Sequence, residues 1–162
     1  MADIAPVSLE LIAAPSDEVR ALIDELEHVL AAEYPPEQRH GLAIDALFQP
    51  HIRFFVARAA GNPVGCGGVA LFSGFAEVKR MYVRPEARGH GVSDAVLARI
   101  EAEARAAGLT MLRLETGDRQ LAAMRFYERA GFRRCGAFGA YAAMPPSAIT
   151  TSVFYEKPIA AA

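Results

Sequence analysis

Residues 78–93 read Val78-Lys79-Arg80-Met81-Tyr82-Val83-Arg84-Pro85-Glu86-Ala87-Arg88-Gly89-His90-Gly91-Val92-Ser93. The stretch predicts a strand, a stop at Pro85, and a glycine loop opening directly into a long helix. Main chain at Gly89 and Gly91 can approach a bulky anion closely, and the positive end of the helix dipole behind them points the same way. A glycine-rich turn with no ligand is the plain alternative. Lys79, Arg80, Arg84 and Arg88 stand against Glu86 alone, with His90 titratable, so the stretch is locally positive in a chain of net charge −2.

Outward from that loop, 162 residues fit one domain over residues 1–162, and a hydrophobic content of 52% is enough for a real core. The net charge gives no global field toward nucleic acid or an anionic membrane, so neither is expected as a partner. No apolar run of about 18 residues predicts a membrane span. Cys66 and Cys135 form neither a disulfide framework nor a metal set, and the four histidines show no ligand spacing, so no metal is expected. The opening Met1-Ala2-Asp3 lacks a positive n-region, and the expected location is cytoplasmic with reduced thiols.

Upstream, residues 7–12 predict a first strand. Ser16 caps a helix whose apolar face is Val19, Leu22, Ile23, Leu26, Val29 and Leu30, and Pro35-Pro36 ends it. A second helix is predicted over residues 37–48. Residues 52–58 and 64–72 form a hairpin around Gly61-Asn62-Pro63, and Gly65, Gly67 and Gly68 within it signal a bulge or close backbone approach. The central strand runs over 77–83. Downstream come a helix over 91–107 with Val92, Ala95, Val96, Ile100, Ala104 and Ala107 inward, a strand over 111–115, a helix over 121–130, a strand near 132–135, a soft loop over 136–151, and a last strand over 152–157. That order builds one mixed sheet with helices on its faces.

Taken in order, these segments resemble the acetyl-CoA-dependent N-acetyltransferases of the GNAT fold. The resemblance covers roughly residues 54–155. It rests on the hairpin Val56-Ala57-Arg58 with Val64-Gly65-Cys66-Gly67-Gly68, the strand and stop Arg80-Met81-Tyr82-Val83-Arg84-Pro85, the loop Arg88-Gly89-His90-Gly91-Val92, and Phe126-Tyr127-Glu128-Arg129-Ala130-Gly131-Phe132. It implies an α/β (α+β) fold: a single mixed, mostly antiparallel sheet of about six to seven strands, flanked by about four helices and splayed at the central strands. Ser93 departs from the small Gly or Ala usual there, Asp94 adds a negative charge, and Gln120 stands where many members carry Asn.

The resemblance implies acetyl-CoA as co-substrate and transfer of its acetyl group to a primary amine of a small or amino-acid-like acceptor, by direct attack in a ternary complex. Arg88, Gly89, His90, Gly91, Val92 and Ser93 then grip the pyrophosphate, a backbone N–H among Met81, Tyr82 and Val83 polarises the carbonyl, and Gln120 holds the pantetheine or merely sits on the surface. Glu77 is the base candidate, alone or through water; otherwise it is a solvated strand end. Tyr127 is the candidate acid for the sulfur and cofactor contact, or a core tyrosine. Arg84 meets a phosphate or is a solvated charge. Glu115 and Asp118 are candidate anchors for a cationic acceptor, with Tyr34 and Tyr141 as lining. Neither cysteine has a neighbouring His in sequence, so an acetyl-cysteine intermediate is not expected. Two rival readings stay open, a silent acyl-CoA sensor and an acetyltransferase of protein N-termini or lysines. A homodimer through the last strands is open as well.

Overall fold

Short β-prone segments of alternating polarity pair into one sheet in the computed structural model, which describes residues 4–162. Met1-Ala2-Asp3, on which the reading of the N-terminus turned, lies outside the described residues. In chain order the elements are β1 Val7–Ile12, α1 Asp17–Ala31, β2 Ile52–Ala59, β3 Asn62–Leu71, β4 Ala76–Val83, α2 Val92–Ala106, β5 Met111–Gly117, α3 Leu121–Arg129, β6 Arg133–Cys135, the single turn α4 Pro146–Ile149, and β7 Ser152–Pro158. The sheet order is β1-β2-β3-β4-β5-β7-β6, antiparallel throughout except where β4 meets β5.

Helices cover both faces of the sheet. On one face α2 and α3 bury Val92, Val96, Ile100 and Tyr127 against Val69, Val78, Leu112, Leu114 and Tyr155. On the other, Val19, Leu22, Ile23 and Leu26 of α1 pack on Phe54, Val56, Cys66 and Tyr82. Each such buried aliphatic is worth about 1.5–3 kcal/mol over its exposed state. Ser16 caps α1 by accepting the Val19 N–H at 3.2 Å, worth about 1 kcal/mol. Val29 is 38% exposed and leaves the expected face of α1. On α2, Leu97 is buried where Ala107, past the helix end, is not.

Two expectations need correction. The predicted helix over 37–48 is two short 3₁₀ turns, Pro36–Gln38 and Ile44–Phe48, joined by extended chain. Tertiary bonds hold that segment open: His40 Nε2 lies 2.6 Å from the Ala148 carbonyl, Lys79 Nζ donates to the His40 carbonyl, and Arg80 Nε donates to the Leu42 carbonyl. Gly41 lies so close under the Arg80 guanidinium that a Cβ there would overlap it. The loop over 136–151 is not soft either. It carries a 3₁₀ turn Gly139–Ala143 and α4, and buries Phe138 and Tyr141 on Phe154 in a third apolar cluster.

β4 decides where chemistry can occur. It pairs with β5 only at Ala76↔Leu112 and Glu77↔Arg113, so beyond Glu77 the two strands part and the sheet is open at its centre. On its other edge, Lys79 pairs with Gly68 and Tyr82 with Cys66, leaving Arg80 and Met81 opposite Gly67 alone. That is a β-bulge, with Arg80 at φ 55°. The expected close approach at the β3 glycines is met at Gly67, where a Cβ would stand 2.5 Å from Val96 Cγ1 of α2.

Candidate active site

Side chains alternate along a strand. Ala76 and Val78 belong to the α2 face, so Glu77 and Lys79 point toward α1. Glu77 is 5% exposed. Its Oε2 accepts from the Tyr141 hydroxyl at 2.7 Å and from Lys79 Nζ at 3.2 Å, while Oε1 has no protein partner among the described residues. The solvated strand end envisaged as the alternative for Glu77 is therefore not what the fold builds.

A cleft of about 130 Å³ runs through the gap between β4 and β5. Glu77, Lys79 and Met81 line it from β4, Glu115 and Gly117 from β5, Gln120 and Tyr127 from the α3 side, and Tyr34, His40 and Gly41 from the α1 side. Burial and then the charge of Glu115 push the Tyr127 phenol above its usual range, so it stays protonated. Burial also raises the Glu115 carboxyl, against the opposing bond from Ser152 Oγ at 2.6 Å. Tyr141 is pushed up by burial and by Glu77. Tyr34 accepts the Arg119 N–H at 2.7 Å and donates to Asp118 at 3.4 Å, which pins the β5–α3 turn. Asp118 itself stays outside the cleft, whereas Glu115 lines it.

The Arg84 N–H donates to the Val64 carbonyl. Ladder alternation then turns the Tyr82 amide toward β3 and the Met81 and Val83 amides toward the gap. Tyr82 also sends its phenol away, to Glu25 Oε1 at 3.1 Å, so neither of its groups faces the gap as the resemblance implied. In the glycine loop, Gly89 and Gly91 both adopt φ 79°, a region open to glycine at no steric cost. Among the described residues, no acceptor takes the N–H groups of residues 89–94. Gly89, His90, Gly91, Val92 and Ser93 thus present a row of free amides at the start of α2, a cradle that suits a pyrophosphate.

The local positive charge expected around the loop is largely cancelled. Lys79 pairs with Glu77, Arg80 with Glu27, and Arg84 with Glu25 at 2.8 Å while also donating to the Pro63 carbonyl. Arg88, whose Nε donates to the Val83 carbonyl, is the cation of that stretch with no carboxylate partner among the described residues. Cys66 is fully buried, its thiol pushed up to about 12 by burial, with Sγ on the Arg80 carbonyl at 3.3 Å. That environment does not suit a nucleophile.

Sequence reading missed Lys79, Arg80, His40 and Gly41 as parts of the site, and it did not link Tyr141 to Glu77. The two-residue spacing of Glu77 and Lys79 on one strand was the available signal for the first. The others depend on contacts that span from 38 positions for Arg80 and Leu42 to 108 for His40 and Ala148, which no local pattern carries. Among the described residues, no group of three or more His, Cys, Asp or Glu stands ready for a metal, and no helix is long and apolar enough to cross a membrane.

A model of the Acetyltransferase (GNAT) family matches residues 20–132. A protein named IAA acetyltransferase from Azospirillum brasilense is 46% identical over 145 residues, covering 88% of this chain and 92% of its own. A crystal structure from Klebsiella pneumoniae, described as an acyl-CoA N-acyltransferase, superposes with a TM-score of 0.75 at 33% identity, covering 95% of this chain and 98% of that one. The PaiA N-acetyltransferase of Thermoplasma acidophilum, solved with coenzyme A, has the same fold at a TM-score of 0.66 and 18% identity, covering 93% and 99%. The mixed, mostly antiparallel sheet with its central splay is the fold that the motifs implied.

Proposed function

The chain belongs to the GNAT acetyltransferase family, and from that premise we propose that it acetylates a primary amine of a small molecule by direct attack within a ternary complex. Acetyl-CoA supplies the activated acetyl group as a thioester. The free amides of residues 89–93, with Arg88, hold its pyrophosphate, and Gln120 on the cleft wall takes the pantetheine arm. The enzyme is proposed to be cytoplasmic, a reading that its two unpaired thiols support.

The observation that carries this reading is the single cleft through the splay that brings Glu77 and Tyr127 to one space from opposite faces of the sheet. An alkylamine arrives protonated, with a pKa near about 10. The Lys79 ammonium disfavours a second cation beside it, and the open Oε1 of Glu77 accepts a proton directly or through water. The amine nitrogen then bonds to the carbonyl carbon while the carbon–sulfur bond breaks. The Met81 and Val83 amides support the charge on the carbonyl oxygen. Tyr127 meets the departing sulfur as a hydrogen-bond donor that is always loaded, because its phenol holds the proton more tightly than a thiol does. The amine sheds two protons in all and the sulfur regains one.

The test is thiol release from acetyl-CoA with a panel of amines, for wild type and Tyr127→Phe. We expect turnover in the wild type and a kcat roughly 10–100-fold lower in the variant, with KM for acetyl-CoA little changed. Binding of acetyl-CoA without turnover across the panel would instead favour a sensor. An unchanged kcat for Tyr127→Phe removes that residue from the chemistry.

A further inference from the structure

A second, larger cavity of about 420 Å³ adjoins the reaction cleft on the α1 side. The two spaces share His40, Gly41, Glu77 and Lys79, so a group standing beside Glu77 stands at their junction. Away from that junction the walls are apolar: Leu42, Ile52, Phe72, Phe75, Phe138 and Met144. Phe75 packs edge-on to Phe138 at 5.5 Å and tilted on Phe72 at 5.2 Å, so the aromatic wall is already assembled. An engineered apolar cavity of about 150 Å³ is enough to take benzene.

Resting on the amine acetylation proposed above, we propose that this cavity is the acceptor's specificity pocket and that the acceptor is an arylalkylamine: a primary amine on a short chain from an uncharged aromatic body. The amine sits at Glu77 and the ring lies among the phenylalanines. On the walls of this cavity an acceptor carboxylate has no open cation to meet, among the described residues. The three Lys79 donors already reach Glu77 Oε2, the Tyr141 hydroxyl and the His40 carbonyl at 3.1–3.3 Å. His40 Nε2 is engaged with the Ala148 carbonyl. His51, the remaining titratable group on the walls, packs against the Phe72 ring at 5.4 Å. No arginine lines the space. A polyamine would strand its second charge against the aromatic wall.

The experiment is steady-state acetylation of methylamine, 2-phenylethylamine, phenylalanine and spermidine by the full chain at saturating acetyl-CoA. A ring leaving water for the cavity buries on the order of 100 Å² of apolar surface, so kcat/KM for 2-phenylethylamine should exceed that for methylamine about 50-fold. Phenylalanine and spermidine should fall below 2-phenylethylamine by about tenfold or more. Ala140→Trp and Met144→Trp narrow the cavity from two positions of its loop wall. Each should bring the 2-phenylethylamine to methylamine ratio down about tenfold, with circular dichroism checking the fold. If the amines are acetylated but the ring brings no preference, or the ratio survives both folded variants, this inference is overturned and the acetyltransferase reading stands. If no amine is acetylated although acetyl-CoA binds, both fall.

Discussion

Removing the charge of Glu77 separates its two roles. Glu77 and Lys79 have side chains 7% and 11% exposed, with Oε2 and Nζ 3.2 Å apart. Glu77→Gln keeps the shape and an oxygen for Tyr141 but leaves the Lys79 ammonium buried with only the His40 carbonyl and the Tyr141 hydroxyl. Breaking a buried pair from one side costs about 3–5 kcal/mol, and two surviving acceptors put this case near the lower end, at about 3 kcal/mol. In a domain of this size that lowers Tm by roughly 6–12 °C. Lys79→Met should cost a similar amount, because it strands the carboxylate instead. The double variant Glu77→Gln/Lys79→Met removes both charges and should melt within about 1 kcal/mol of wild type. Its kcat/KM should nevertheless remain about 100-fold down or more, since no proton acceptor is left at that position. Calorimetric melting and thiol release on the same four proteins check both quantities. A double variant that melts like wild type and turns over like wild type refutes the base role. A Glu77→Gln protein with unchanged Tm refutes the energetic reading of the pair.

Gly91 and Gly108 provide a matched comparison, with φ 79° and 77° and nothing within 4 Å of an added Cβ. Alanine at either should cost about 1 kcal/mol of backbone strain and about 2–4 °C of Tm, whereas calorimetry with coenzyme A should show weaker binding for Gly91→Ala only. Burial raises the Glu115 carboxyl from 4.5, so the folded protein holds that proton more tightly than the unfolded chain. Its contribution to stability is complete below pH 4.5 and falls as pH rises through the folded value. Glu115→Gln removes the dependence, so the Tm difference should move in the variant's favour as pH climbs; a difference that does not move contradicts the assigned cause. Iodoacetamide at pH about 8 should label Cys135 alone in the native protein and both cysteines after denaturation, because a buried thiol with a raised pKa offers almost no thiolate. Native labelling of Cys66 overturns that picture.

The elements that were legible are those whose pattern is local. α1 shows its buried Val19, Leu22, Ile23 and Leu26 at helical spacing behind a Ser16 cap, and α2 follows a glycine loop and stops at Gly108. The loop's free amides were legible for the same reason, since glycine spacing and a helix start are sequence features. Segment 37–48 misled because Leu42, Ile44, Leu47 and Phe48 are apolar enough for a helix, while its conformation is set by bonds from Lys79, Arg80 and Ala148. The charge around the loop misled differently. Its cations are visible in sequence, but the carboxylates that cancel them, Glu25 and Glu27, lie on α1, far upstream. Tyr141 was seen as pocket lining, but its bond to Glu77 spans 64 positions and has no local trace.

Arg80 joins these observations. Its φ of 55° costs an L-residue about 1–2 kcal/mol, and one of its guanidinium nitrogens, Nη1, is buried with no hydrogen-bond partner among the described residues. Glycine at this position would escape both. What arginine adds is reach: Nε donates to the Leu42 carbonyl at 2.9 Å, Nη2 pairs with Glu27 of α1, and the flat group lies over Gly41 where no side chain fits. The bulge at Arg80 breaks the β3–β4 ladder beside the splay, where the Met81 and Val83 amides face the gap. The same residue's side chain holds the 39–44 segment that walls both the cleft and the adjoining cavity. Arg80 therefore links the bulge beside the opening to the wall facing it, a wall that Lys79 and the Ala148 carbonyl also hold at His40. A strained, incompletely satisfied arginine beside a cleft is the kind of broken local rule that clusters at functional sites.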